Sequence, residues 1–195
     1  MGKMKFDKVY IDKNVFYIKD FIDKDSILIL KKDIEQHSVI NKKYEGLYHD
    51  ILSFSTEQSQ LIWNRITSDL ESIFNNDSEY LYDFPPRPYV IKYVNRNMNT
   101  KLNHWAMYPH ADNSEYESNQ DLSEHNILKG IVIYITDDFE GGEIVYINKK
   151  IELKPKAGYL ICHSGSEEYA HGVKSFTGGD RVVITGFVHE RKKPN

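Results

Sequence analysis

The chain changes character at Pro85, Pro86 and Pro88, and this change limits its possible folds more than any other feature. Beyond these prolines short β-rich runs alternate with turns: Tyr89 to Val94, His104 to Tyr108, Ile127 to Ile135, Glu143 to Ile147, Gly158 to Cys162, Ala170 to Lys174 and Arg181 to Val188. Asp137 to Gly142 and Thr177 to Asp180, rich in Gly and Asp, read as turns. No helical period interrupts the series. Short strands in such number bury their apolar sides against one another, which predicts a closed double sheet of the jelly-roll kind.

The residues before the prolines read differently. Val15-Phe16-Tyr17-Ile18 fits an opening strand, and Asp25 or Ser26 fits the cap of a helix carrying Ile27, Leu28, Leu30 and Ile34. A second helix is expected from Ser55 or Thr56, because Leu61, Ile62, Ile66, Leu70 and Ile73 or Phe74 recur at three-or-four spacing. One-sided helices of this sort buttress a sheet. The expected fold class is therefore mainly β with N-terminal helices, in one domain over residues 1–195. Residues 1–84 are the helical support and 85–191 the β core. At 195 residues the chain buries roughly 70% of its unfolded surface and needs no disulfide for folding. Asn113 to Asn126, polar apart from Tyr116 and Leu122, is too long for a plain connection and is expected to be a substrate loop or lid.

Charge and cysteine content narrow the partners. With 25 basic and 29 acidic residues mixed along the chain, the net charge is −4, which argues against a nucleic-acid partner. The one basic run, Arg191-Lys192-Lys193, reads as a solvated terminus. A single cysteine, Cys162, excludes an internal disulfide and fits a reducing compartment, so a cytoplasmic location is expected. It lies in the apolar run Tyr159-Leu160-Ile161-Cys162 and reads as a buried strand residue. No apolar stretch approaches the ~20 residues that span a bilayer, so no membrane partner is expected. The opening Met1-Gly2-Lys3-Met4-Lys5 is followed by charged residues rather than the apolar core of a signal peptide.

Chemistry enters with His110-Ala111-Asp112. On an extended chain residues i and i+2 project to one side, so both can reach one metal ion. Three residues alone read more readily as a surface histidine beside a helix-capping aspartate, so the metal reading needs further support. His171 follows 61 residues on, in the strand-like Tyr169-Ala170-His171-Gly172-Val173, and Arg181 ten residues later opens an apolar strand. Two histidines and a carboxylate occupy one face of an iron ion and leave positions for a 2-oxo acid and dioxygen. An arginine at the head of a buried strand needs an anion, and a carboxylate meets its planar fork with two charge-assisted bonds.

In this order and spacing the sequence resembles the prolyl 4-hydroxylase-like branch of the 2-oxoglutarate/iron(II) oxygenases. The resemblance covers roughly Tyr89 to Arg191. Its pieces are His110-Ala111-Asp112, the run from Ile133 through Asp137, Gly141 and Gly142 to Glu143, Leu153 to Gly158, His171-Gly172-Val173 and Gly179-Asp180-Arg181. It implies a double-stranded β-helix (jelly-roll or cupin-like) core with supporting helices. It implies Fe(II) on His110, Asp112 and His171, with 2-oxoglutarate and O2 as cosubstrates and ascorbate as a reductant. Arg181 would anchor the distal carboxylate with Tyr134 beside it, Tyr93 would face the cosubstrate from an earlier strand, and Thr185 would add a hydroxyl to the pocket. Two departures lie around the substrate channel: Met107 stands three before the first histidine, where an aromatic is common, and no glycine follows Tyr93. Demethylases of nucleic acid in the superfamily carry a second arginine six residues after the first, and here that position is Phe187.

The implied activity is hydroxylation of an aliphatic C–H, with a prolyl residue in a protein or peptide as the first expectation. A free amino acid or other small molecule is the alternative substrate, and a non-catalytic binding module on the same fold the alternative class. Of the other histidines, His163 at a strand end reads as a neighbour of the site or a surface group. His104 and His125 share this half of the chain without ligand spacing, and His37, His49 and His189 have no spacing partner.

Overall fold

In chain order the elements are β1 (Lys8–Asp12), β2 (Val15–Ile18), α1 (Lys24–Glu35), β3 (Ile40–Tyr44), β4 (Leu47–Leu52), α2 (Glu57–Phe74), β5 (Tyr80–Asp83), β6 (Tyr89–Tyr93), β7 (Trp105–His110) and β8 (Ile127–Tyr134). There follow β9 (Phe139–Gly141), β10 (Ile144–Tyr146), β11 (Ile151–Leu153), β12 (Leu160–Ser164), β13 (His171–Lys174), β14 (Phe176–Gly178) and β15 (Arg181–Glu190), with short 3-10 turns at Ile147–Lys149 and Glu167–Tyr169. This computed structural model describes residues 6–36, 40–44, 47–74, 80–83, 89–93, 105–113 and 127–190.

The helices form where the periodicity places them. Asp23, one turn ahead of the residues read as caps, starts α1: its carboxylate accepts from the Ser26 amide at 2.8 Å and from the Ser26 hydroxyl at 2.8 Å. α2 begins beside Thr56, whose hydroxyl accepts from the Ser59 amide at 3.2 Å. The helices are tied by Asp33 of α1, which accepts from the Ser55 amide and hydroxyl and from the Thr56 amide. Ile27, Leu30 and Ile34 of α1 and Ile62, Trp63, Ile66, Leu70 and Ile73 of α2 are buried in one core cluster. Leu28 and Leu61, at 65% and 62% exposure, fall on the outer sides of their helices.

The support segment is more than helical. It contributes β1 to β5 to the large sheet, whose order is β1-β2-β12-β8-β15-β6-β4-β3, with β5 pairing the far end of β15. Its ladders are antiparallel, such as Arg181↔Tyr93 between β15 and β6, Val183↔Tyr134 between β15 and β8, and His163↔Gly130 between β12 and β8. A smaller sheet runs β11-β10-β13-β7, and β14 pairs β9. Both segments read as turns thus hold short strands, because cross-strand pairing outweighs their local turn chemistry. Gly141 (φ 81°) and Gly142 (φ 69°) do make the expected tight turn between β9 and β10. The sheets form a jelly roll without closing into one hydrogen-bonded barrel among the described residues.

Alternation along each strand sorts the large sheet into two sides. Ile131, Ile133, Leu160, Cys162, Val182 and Ile184 pack against the helices. Tyr93, Tyr134, Ile161 and Val183 point the other way, toward Ile144 and Tyr146 of the smaller sheet. The space between the sheets is where the chemistry-bearing residues gather. Residues 114–126 of the expected lid, together with His37, His104, His125 and Arg191-Lys192-Lys193, lie outside the described residues. Among the described residues no helix is long and apolar enough to cross a membrane.

Candidate metal and cosubstrate site

His110 closes β7 and His171 opens β13, and the two are register partners across the smaller sheet. Partners in register put their side chains on one side, which brings the rings to 4.8 Å between centroids. Asp112, two residues past His110, completes a cluster whose ligand atoms all lie within 4.8 Å of one another. Its Oδ1 is 3.8 Å from His110 Nε2 and 3.9 Å from His171 Nε2.

Both rings are oriented by backbone. Nδ1 of His110 lies 2.9 Å from the Tyr108 carbonyl oxygen, and Nδ1 of His171 lies 3.3 Å from that of Tyr169. A carbonyl can only accept, so Nδ1 carries the proton and Nε2 keeps a lone pair turned to Asp112. This is how ligating histidines are commonly held. Burial, reinforced by the imidazole of His163, pushes His171 down to about 3, so the ring is neutral. Burial raises Asp112, against the opposing pull of His171 and His110. A divalent cation here would reverse that balance, since it favours the carboxylate.

Arg181 is 2% exposed at the head of β15. Its guanidinium donates to the Tyr134 hydroxyl at 2.8 Å and stacks between Tyr93 and Tyr134, 4.9 and 5.1 Å from their centroids. Nε has no partner. No carboxylate pairs with it among the described residues, and the neighbouring Asp180 is taken by Lys92 at 2.6 Å. A buried cation left in this state costs several kcal/mol, so the position calls for an anion. His110, Asp112, His171, Arg181, Tyr93 and Thr185 all line one cavity of about 410 Å³. Tyr134 joins them through Arg181. The residues singled out in the sequence are thus brought together around one space.

Several neighbours had no spacing signal. His163 is 1% exposed, its ring 4.2 Å from that of His171, so it is no surface group. Tyr146 is buried beside both rings. Gly130 faces His163 across the ladder, and a Cβ there would fall 2.4 Å from Asp112 Oδ2. Its one trace in the sequence is a lone glycine inside an apolar strand, which marks a close approach. Tyr169, whose carbonyl orients His171, donates its hydroxyl to Asp12 and accepts from Asn14 at 3.3 Å. The turn between β1 and β2 thereby backs a residue of the site. Cys162 is buried as expected, and desolvation pushes its thiol up to about 12.

The donor set fits a divalent metal with its cosubstrate. Two imidazoles and a carboxylate make a one-sided cage, and Arg181 Nε and Asp112 Oδ2 are buried polar atoms without partners among the described residues. A jelly roll with such a cage opposite a buried arginine defines a class, the facial-triad metal proteins. Residues 99–189 match the family model described as the 2OG-Fe(II) oxygenase superfamily. The match covers a little under half of the chain, and members of that superfamily use Fe(II), 2-oxoglutarate and O2.

The chain is 38% identical over 58 residues to prolyl 3-hydroxylase 2 of Rattus norvegicus, a match covering 27% of this chain and 8% of that protein. It therefore spans only a small part of that relative's length. Among solved structures it is similar to a viral collagen prolyl hydroxylase from Paramecium Bursaria Chlorella virus-1, with a TM-score of 0.64 and 15% identity over 91% of this chain and 96% of that one. A prolyl-4-hydroxylase of Pseudomonas putida gives a TM-score of 0.58 and 14% identity over 92% and 94% of the two chains. At these identities the structural likeness bears on the fold.

Proposed function

We propose that the protein is a 2-oxoglutarate- and Fe(II)-dependent dioxygenase that hydroxylates an aliphatic C–H, with a prolyl residue of a protein or peptide as substrate. The observation that carries this reading is the pairing, in one cavity, of the His110, Asp112 and His171 cage with a buried Arg181 that has no carboxylate partner among the described residues. In this reading His110, Asp112 and His171 hold Fe(II). Arg181 binds the distal carboxylate of 2-oxoglutarate through its planar fork, and Tyr134 steadies the guanidinium from the side. Tyr93 and Thr185 shape the same pocket, Tyr93 by stacking on Arg181.

When bound, the metal and its cosubstrates supply the oxidising power, and the protein contributes position and exclusion of water. The prolyl assignment is supported by the three similar proteins described above, which are named as prolyl hydroxylases, over a partial match and a shared fold. The mixed surface charge, and Phe187 where demethylases carry an arginine, favour a polypeptide over nucleic acid.

The test is succinate formation from 2-oxoglutarate with Fe(II) and a library of proline-containing peptides, with oxygen incorporation read by mass. Free proline and other amino acids form the control arm and test the small-molecule alternative. Asp112→Ala is expected to abolish turnover while leaving the fold intact by circular dichroism. Full activity in that variant would rule out the metal assignment, and turnover with free amino acids alone would rule out the peptide substrate.

A further inference from the structure

We infer that His163 is a positioning residue for Asp112, fixing which carboxylate oxygen faces the metal. The inference rests on the proposed metal site and adds a residue to it.

The two oxygens of Asp112 stand in different surroundings. Oδ1 faces the Nε2 atoms of His110 and His171, at 3.8 and 3.9 Å. Oδ2 is turned away, buried and without a hydrogen bond among the described residues. A carboxylate that ligates through one oxygen leaves the other with a full demand for donors, and an unmet demand in the interior costs about 1–3 kcal/mol or more. On that side stands His163, with Nδ1 3.8 Å from Oδ2.

His163 cannot turn elsewhere. Its ring meets His171 edge-on at 4.2 Å and Tyr146 edge-on at 5.5 Å. Its Nδ1 lies 3.3 Å from the Ser164 carbonyl oxygen, a long contact that leaves its proton free to be shared. The register partner of His163 is Gly130, and a Cβ there would stand 2.4 Å from Asp112 Oδ2, 2.6 Å from His163 Cε1 and 2.8 Å from His163 Nε2. The chain thus omits a side chain at the one place where it would separate the imidazole from the carboxylate. A separation of 3.8 Å exceeds a hydrogen bond by about 1 Å, a gap closed by a small carboxylate shift or by one bridging water. The facing glycine makes room for the ring in any case, but a histidine placed only for packing needs no nitrogen turned to Oδ2.

Titration of the full-length protein with Co(II), followed by visible absorption, tests the assignment without turnover. Wild-type protein that binds no Co(II) would count against the metal site itself, separately from His163. Given wild-type binding, His163→Phe is expected to weaken Co(II) roughly 10–100-fold and to alter the absorption band, as loss of a supporting partner does elsewhere. His163→Gln, which returns an N–H donor, recovers most of the affinity and the band. Wild-type affinity and spectrum in His163→Phe overturn the inference. So does a loss in His163→Phe that His163→Gln leaves equally deep, since packing then accounts for it. Should the Phe variant fail to fold, His163→Met against His163→Gln makes the same comparison: equal affinities overturn the inference, and a tenfold or larger deficit in Met supports it.

Discussion

Along β12, Leu160 and Cys162 turn toward the helices, while Ile161 and His163 turn toward the smaller sheet. The same division runs through β15, where Val182 and Ile184 meet the helices and Arg181 and Val183 line the cavity. On the helix side the buried polar groups Ser26, Asp33 and Ser59 are hydrogen-bonded. On the other side lie the buried side-chain atoms without partners among the described residues: Asp112 Oδ2, Tyr146 Oη, His163 Nε2 and Arg181 Nε. One sheet therefore serves two interiors. One is completed by the chain itself, and the other is completed by what binds there.

The strongest way to break this comparison is to damage the helix side and watch the site. Trp63, 1% exposed on α2, fills the apolar interior, and Trp63→Ala is expected to cost about 3–5 kcal/mol of stability. Urea unfolding reads that loss, and Co(II) affinity of the remaining folded protein is expected to stay at the wild-type value. A matching fall in metal affinity would show that the two interiors are not independent.

Acid sharpens the comparison next. Burial raises the Asp33 carboxyl, but bonds from Ser55, Ser59 and Thr56 outweigh this and hold it down at about 2. That lies below an unfolded value of about 3.9, so the contribution, on the order of 2 kcal/mol, is complete above pH ~5 and is lost as pH falls toward 2. Unfolding midpoints at pH 5 and pH 2.5 measure it. Asp33→Asn is expected to show a weaker pH dependence, and an unchanged dependence would assign acid lability elsewhere.

Within the site the expected effects are smaller and specific to the ligand. Arg181→Ala is expected to raise the 2-oxoglutarate requirement for succinate formation at least about tenfold, or roughly 1.4 kcal/mol, with metal affinity unchanged. Arg181→Lys restores charge without the planar fork and recovers part of the loss. Unaltered 2-oxoglutarate dependence in the alanine variant would remove the anchoring role. Tyr134→Phe loses one hydrogen bond donated by the Arg181 guanidinium but leaves its planar fork in place, and is expected to shift the same titration less than Arg181→Ala does, by about threefold. An effect as large as that of Arg181→Ala would mean that Tyr134 acts on the ligand directly.

The residues legible in advance were those whose chemistry is local to the chain. His110 and Asp112 share a side because they are two apart, and Arg181 stood out as a charge heading an apolar strand. The α2 stripe was legible because a helix repeats within a few residues. What escaped was set by partners distant in sequence. The cap of α1 fell to Asp23 because Arg65 of the neighbouring helix also bonds that carboxylate, at 2.8 Å. The strands β3 to β5 carry little alternation of their own and exist through pairing with β6 and β15. His163, Tyr146 and Gly130 meet only through ladder register, which no spacing in the sequence records.

The clamp on Tyr169 has a consequence for how the protein comes to be built. Its hydroxyl reaches Asp12 across 157 residues of chain, and β2 lies beside β12 in the sheet. β2 pairs β1 locally but gains its other neighbour only once β12 has been made. Contacts of such long range make folding slow, because the chain entropy of closing a large loop is lost before any stabilising contact forms. The Tyr169 carbonyl beside His171 thus belongs to a residue tied to a segment far away in the sequence. A chain truncated before β13 lacks His171 and so has no complete cage to offer.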